Sequence, residues 1–225
     1  SVFFGDHLAL AEVRYRSEGR FEPLMMLAAL ATTTSQIGLI ATASTTYTEP
    51  YNLARQFASL DHLSHGRAGW NIVTTWVAAV ARNFGLERPI EHADRYARAT
   101  EYLEVVTKLW ASWEDDAYKL DRDAGIFADR SRIHAVDHTG TYFRVAGALN
   151  VPRPPQGRPV LVQAGSSDDG RNFAAKYAEA IFTAQRELKD AQAFYTDIKA
   201  RAAALGRDPQ HILIMPGLSA IVGST

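Results

Sequence analysis

IGLIATASTTYTEPYNLARQFASLDHLSHGRAGWNIVTTW, residues 37–76, holds a whole strand–helix–strand passage. The apolar run Ile37–Ala43 reads as a strand bounded by polar residues. Pro50 suits the first position of a helix, and Leu53, Phe57 and Leu60 fall on one face of it. His62 and His65, beside Asp61 and ahead of Gly66-Arg67, belong at its end, where an imidazole suits the helix dipole. Ala68–Val73 is then a second strand. Two apolar strands separated by an amphipathic helix pair in parallel, because a crossover of that length returns the chain in the same direction.

The same alternation runs outward from this passage. Val2–Phe4, Pro159–Gln163, Ala180–Thr183 and Ile212–Leu218 are further strands, several of them apolar on both faces. That is expected where helices cover one side and a barrel interior the other. Pro23 opens a helix carrying Leu24, Leu27, Ala28 and Ala31. Tyr96, Tyr102, Leu103, Val106, Leu109, Trp110 and Trp113 mark a longer one. Ser167 is placed to cap a helix with Phe173, Ala174, Tyr177 and Ala178. Leu188, Ala191, Tyr195, Ile198 and Ala202 mark the last, ended near Gly206 with Pro209 beyond.

The expected fold is therefore α/β, a parallel (β/α)8 barrel of the TIM type, as one domain over 1–225. Residues 114–158 interrupt the rhythm as a charged insertion rich in Gly and Pro, with a short alternating piece at Thr141–Val145. The chain opens at Ser1 directly into a strand and stops at residues 223–225, where a helix is expected to start. A typical barrel needs about 250 residues before insertions, so the barrel is expected to be incomplete at both ends. Open sheet edges favour association, and a homo-oligomer is expected.

Composition narrows the function. With 225 residues, 47% hydrophobic and 22% charged, this is an ordinary globular chain able to bury a sizeable core. A formal net charge of −1 with scattered Lys and Arg argues against nucleic acid as a partner. The absence of cysteine excludes disulfides and thiolate metal sites. Apolar stretches such as Leu24–Ala31 are too short to span a bilayer, so no membrane partner is expected and the cytoplasm is the expected location.

In a parallel barrel the ligand lies at the carboxyl ends of the strands. Here those ends carry Asp6-His7, Thr42 through Tyr47, Asn71 with Thr74-Thr75-Trp76, and Gln163 through Ser167. One polar strand end is only a surface, but four in register point to a site of hydroxyls and amides that would bind a heterocycle. Gly165-Ser166-Ser167 either holds a phosphate at a helix N-terminus or simply caps it. Asp168 and Asp169 would repel a dianion, with Arg171 as a source of compensation. His92 and Tyr96, four apart on one helix face, are either a ligand pair or a solvated His beside a core Tyr. His134 and His138 lie in the insertion without a metal-site pattern, so a solvated loop is expected and no metal. No nucleophile elbow, P-loop or GxGxxG is present.

Residues 42–76 together with FFGDH (3–7), ARNFG (81–85), EHADRY (91–96) and PRPPQGRPVLVQAGSSDDGRNFAAKYAEAIFTA (152–184) resemble the bacterial-luciferase-like flavin monooxygenases. Within them the likeness is to the nitrilotriacetate monooxygenase group, which also holds sulfone and long-chain alkane monooxygenases. The resemblance implies an enzyme using reduced FMN as co-substrate, supplied by an NAD(P)H-dependent flavin reductase. It implies insertion of one oxygen atom from O2 into a small organic substrate through a flavin hydroperoxide. It places the FMN phosphate near Tyr96, Ser166 and Ser167, and Asp6, Thr42, Asn71 and His92 close to the flavin. Catalytic residues stay unassigned, although His7 and Tyr47 could face the reacting edge. Two alternatives stand beside this reading: a deazaflavin- or FMN-dependent hydride-transfer enzyme of the same superfamily, and an inactive truncated chain.

Overall fold

Trp70 explains much of the first half of the molecule. It sits at the middle of strand β3 (Ala68–Val73) and is fully buried. Phe57 of helix α2 (Pro50–Leu63) and Tyr102 and Trp110 of helix α4 (His92–Trp110) pack around its ring, at centroid distances of 5.8, 5.9 and 6.3 Å. Side chains alternate along a strand, so Ala68, Trp70 and Ile72 meet the helices while Gly69, Asn71 and Val73 face the other way. Buried indoles need an acceptor: Trp70 donates to Ala43 O at 3.1 Å and Trp110 to Ala54 O at 2.9 Å.

The computed structural model describes residues 1–10, 20–218 and 222–223. The helix start expected at 223–225 falls largely on residues outside these. The chain divides into two compact units, Ser1–Pro159 and Val160–Thr225. In the first, β1 (Val2–Phe4), β2 (Leu39–Ser44) and β3 run parallel in that order, with α1 (Pro23–Thr33) and α2 between successive strands. In the second, β8 (Val160–Gln163), β9 (Ala180–Thr183) and β10 (Leu213–Pro216) run parallel, joined by α5 (Asp168–Tyr177) and α6 (Leu188–Ala204). Ala174, Ile181, Phe194 and Ile198 form that unit's core. No helix among the described residues is long and apolar enough to cross a membrane.

The N-terminal side of the first unit is fastened by Arg67. Its Nε donates to Ser64 O, one terminal nitrogen to Ile37 O and Thr34 Oγ1, and the other to Ala31 O and Thr34 O, all within 3.1 Å. A guanidinium carries five N–H donors, and all are used here: three on carbonyls at the ends of α1 and α2, one on the Thr34 hydroxyl and one on the Ile37 carbonyl ahead of β2. The same contact takes the carbonyl of Ile37, and β2 starts at Leu39, two residues later than the apolar run suggests. The turn before Arg67 uses Gly66 at φ +80°, a left-handed conformation natural to glycine.

The insertion forms two small antiparallel ribbons. One is β4 (Tyr118–Asp121) with β5 (Ile126–Ala128); the other is β6 (His138–Thr139) with β7 (Arg144–Val145), at the alternating piece expected there. Glu101 of α4 holds the second ribbon, accepting from Tyr142 N, Phe143 N and His138 Nε2. Burial alone would raise the Glu101 carboxyl, but these hydrogen bonds outweigh it and hold it below the usual range. His138 is therefore not in a solvated loop as expected: its side chain is 7% exposed and bonded to Glu101 at 3.2 Å. His134 does stay on the surface, bonded to Glu114 at 2.6 Å. At the insertion's exit, the buried Asp61 accepts from Gln156 N, Gln156 Nε2 and Ala68 N.

Candidate functional site

On the face of β2 and β3 turned away from the helices, Thr42 and Asn71 are register partners. Asn71 Nδ2 donates to Thr42 Oγ1 at 2.9 Å. Asn71 is 4% exposed, yet its Oδ1 has no hydrogen-bond partner among the described residues. A buried carbonyl left so costs about 1–3 kcal/mol. The position is therefore expensive to the fold and suited to an N–H donor on a ligand.

The same face continues beyond the strand ends. Ser44 Oγ accepts from Thr75 Oγ1 at 2.8 Å and from Thr46 N. Ser44, Val73 and Thr75 line a cavity of about 480 Å³, together with Asp6, His7 and Arg82. That volume is in the range of small-ligand pockets. Burial, and then the negative charge of Glu22, raise the Asp6 carboxyl above its ordinary value. It thus holds its proton to a higher pH than a free carboxyl does.

His92 and Tyr96 stand in the first turns of α4 with ring centroids 5.0 Å apart, sharing a face as their spacing predicts. His92 is exposed and Tyr96 half-buried. Tyr47 stacks on Phe84 at 4.7 Å, and Arg98 Nε reaches Thr45 O to tie this strand-end segment to α4. Sequence reasoning missed Arg95, which occupies a core-facing position of α4 and is 8% exposed. The signal was available: Arg95, Ala99, Tyr102 and Val106 follow the helical period, so a charge stands where an apolar residue belongs.

In the second unit, Ser167 is the N-cap of α5, and its Oγ accepts from Gly170 N at 3.1 Å. Ser166 is exposed just before it. Gly165 passes so close to Gly170 Cα that a Cβ would come within 2.9 Å of it. Arg171 is committed to Asp197 at 3.0 Å and Asp168 to Arg201 at 2.7 Å. Pairing with Arg201 lessens the repulsion that Asp168 would offer a phosphate, while Arg171 is less free to help than its position suggested. Among the described residues no group of His, Cys, Asp and Glu is arranged to hold a metal ion.

A parallel β/α fold with buried neutral acceptors and a cavity at its strand ends has the arrangement in which α/β proteins hold small ligands. The chain belongs to the luciferase-like monooxygenase family, whose model matches residues 1–225. It is 57% identical over 206 residues to N-acetyl-S-(2-succino)cysteine monooxygenase of Bacillus subtilis (strain 168), covering 92% of this chain and 47% of that one. It is 54% identical over 204 residues to nitrilotriacetate monooxygenase component A of Aminobacter aminovorans, covering 91% and 45%. The solved structure of a riboflavin lyase with modified FMN and substrate riboflavin superimposes with TM-score 0.88 at 41% identity, covering 92% of this chain and 46% of that one. The expected barrel class thus holds, and the chain spans about half the length of the curated relatives it matches.

Proposed function

We propose that the protein is the oxygenase of a two-component system, taking reduced FMN from a separate NAD(P)H-dependent flavin reductase and inserting one atom of O2 into a small organic substrate. The observation that carries this reading is the Thr42–Asn71 pair, in which the buried Asn71 Oδ1 has no donor of its own. The edge of a flavin alternates N–H and C=O groups, and this pair of buried amide and hydroxyl matches it without adding charge. Family membership supports the same chemistry.

In this reading Asp6, Thr42, Asn71 and His92 lie close to the flavin, and Tyr96 binds toward the phosphate. Ser166 and Ser167 are assigned to the phosphate on the local geometry of the α5 N-terminus, where free N–H groups attract anions. Bound reduced FMN supplies the electron pair that activates O2, so that one oxygen atom reaches the substrate and the other leaves as water. The chain's own residues orient the ring and exclude water. Thr42 and Asn71 are buried, and Val73, Val77 and Val80 give the cavity apolar walls. His7 lines the cavity. A reductase drawing on NAD(P)H fits a cytoplasmic protein.

The test is anaerobic titration of the full-length protein with reduced FMN, followed by oxygen uptake with candidate substrates. Failure to bind reduced FMN removes the reading. Binding with substrate turnover but no oxygen uptake replaces it by hydride transfer.

A further inference from the structure

Arg95 is unlike the other buried polar groups of the first unit because it carries a charge. The residue is 8% exposed on the core stripe of α4, one turn before Ala99 and two before Tyr102. Nη1 donates to Ile90 O at 3.1 Å. Nε is buried with no acceptor, and no carboxylate of the described residues lies within salt-bridge distance of it. Burying a charge without a partner is costly, and folded proteins pair or solvate such groups. Two further orphans lie on the strand-end segment tied to this helix by Arg98: Thr46 Oγ1, in a residue 6% exposed, and the Tyr47 hydroxyl. The charge of Arg95 acts on the Tyr47 phenol, so the two groups are electrostatic neighbours; burial of that phenol raises its pKa and the Arg95 charge opposes the rise.

We propose that Arg95, with the Tyr47 and Thr46 hydroxyls, forms a buried anion site that takes a phosphate or carboxylate oxygen of a ligand. The guanidinium supplies charge and fork-shaped donors, and the two hydroxyls supply neutral donors that do not lose their protons to it. Apolar residues would fill these positions better if the site had only to pack.

The test does not depend on flavin binding. Inorganic phosphate and succinate are titrated into the protein by calorimetry at constant ionic strength, with chloride as control, and thermal midpoints are followed in parallel. At least one of the two anions binds and raises the midpoint, and chloride does not. Arg95→Met weakens that binding at least tenfold and has a midpoint equal to or above the parent's without anion. Arg95→Lys keeps binding within about threefold, and Tyr47→Phe weakens it by about that factor. Stronger binding of phosphate assigns the site to a phosphate group, and stronger binding of succinate to a substrate carboxylate. The proposal is overturned if neither anion binds, if Arg95→Met binds as the parent does, or if Arg95→Met lowers the midpoint while anions leave the parent unmoved. In the last case Arg95 only holds the Ile90 carbonyl.

Discussion

The two ends of the strands in the first unit treat an arginine in opposite ways. At the N-terminal end, Arg67 spends five donors on five acceptors and closes the ends of two helices. At the C-terminal end, Arg95 makes one hydrogen bond, to Ile90 O, and keeps Nε buried without an acceptor. Thr46 Oγ1, the Tyr47 hydroxyl and Asn71 Oδ1 share that condition. One end is therefore complete as folded, and the other carries polar atoms whose cost a ligand or a bound water can offset. This division separates stability from binding more sharply than burial does, since both ends are well packed.

The largest expected effect tests the complete end. Arg67→Ala exposes or orphans the carbonyls of Ala31, Thr34, Ile37 and Ser64 and is expected to cost about 3 kcal/mol in chemical denaturation. A loss below about 1 kcal/mol would show that the clamp is ornamental. At the open end the sign is different. Asn71→Ala is expected to weaken binding of reduced FMN by at least tenfold, about 1.4 kcal/mol, while denaturation stability changes by less than that. Parallel losses in both measurements would erase the distinction between the ends.

The second unit supplies a smaller and more ambiguous case. Ser167 already caps α5, so Ser167→Ala should cost about 1 kcal/mol. Ser167→Asn, which preserves a cap, separates the two roles: stability recovers, but FMN affinity stays low if the hydroxyl also meets the phosphate. Recovery of both assigns Ser167 to capping alone.

The smallest effect concerns the insertion. The Glu101 carboxyl is held below its usual range in the folded protein, so its contribution is present above the unfolded-state value of 4.5 and fades as pH falls through the lower folded value. Between pH 7 and pH 3.5 the thermal midpoint of the parent is expected to drop further than that of Glu101→Gln, by about 2 °C. Equal drops would mean the ribbon is held by Tyr142 and Phe143 without help from the charge.

Much of the fold could be read from periodicity. Pro23 and Pro50 begin α1 and α2 where expected, and β1, β3 and β9 have the anticipated limits. What escaped reading had no one-dimensional signal. Helix α3 (Ala78–Asn83) is less than two turns long, too short for a period to emerge. Strands β4 and β5 are exposed on most positions, so no apolar alternation marks them. The burial of His138 depends on Glu101, 37 positions away in sequence. Among the site residues, the pairing of Thr42 with Asn71 follows once the strands are in register, and the face shared by His92 and Tyr96 follows from helical spacing. Ser167 shows the limit of such inference, because a cap and a phosphate ligand require the same residue at the same place. Arg95 shows a different one. Its misfit on the apolar stripe is written in the sequence, but only burial without a partner gives the misfit meaning.

The tryptophans turn this architecture into an optical instrument. Trp70 and Trp110 are sealed against each other in the helix-facing core, and Trp113 is bonded to Leu149 O. Trp76, three residues beyond the end of β3, is 68% exposed. Emission from the enclosed indoles is blue-shifted and reports whether the first unit is folded, whereas Trp76 emits from water near the candidate cavity. Quenching confined to the red edge would register arrival at the strand ends, and a shift of the blue edge would register loss of the core. The chain can thus signal occupancy and integrity at separate wavelengths without an added label.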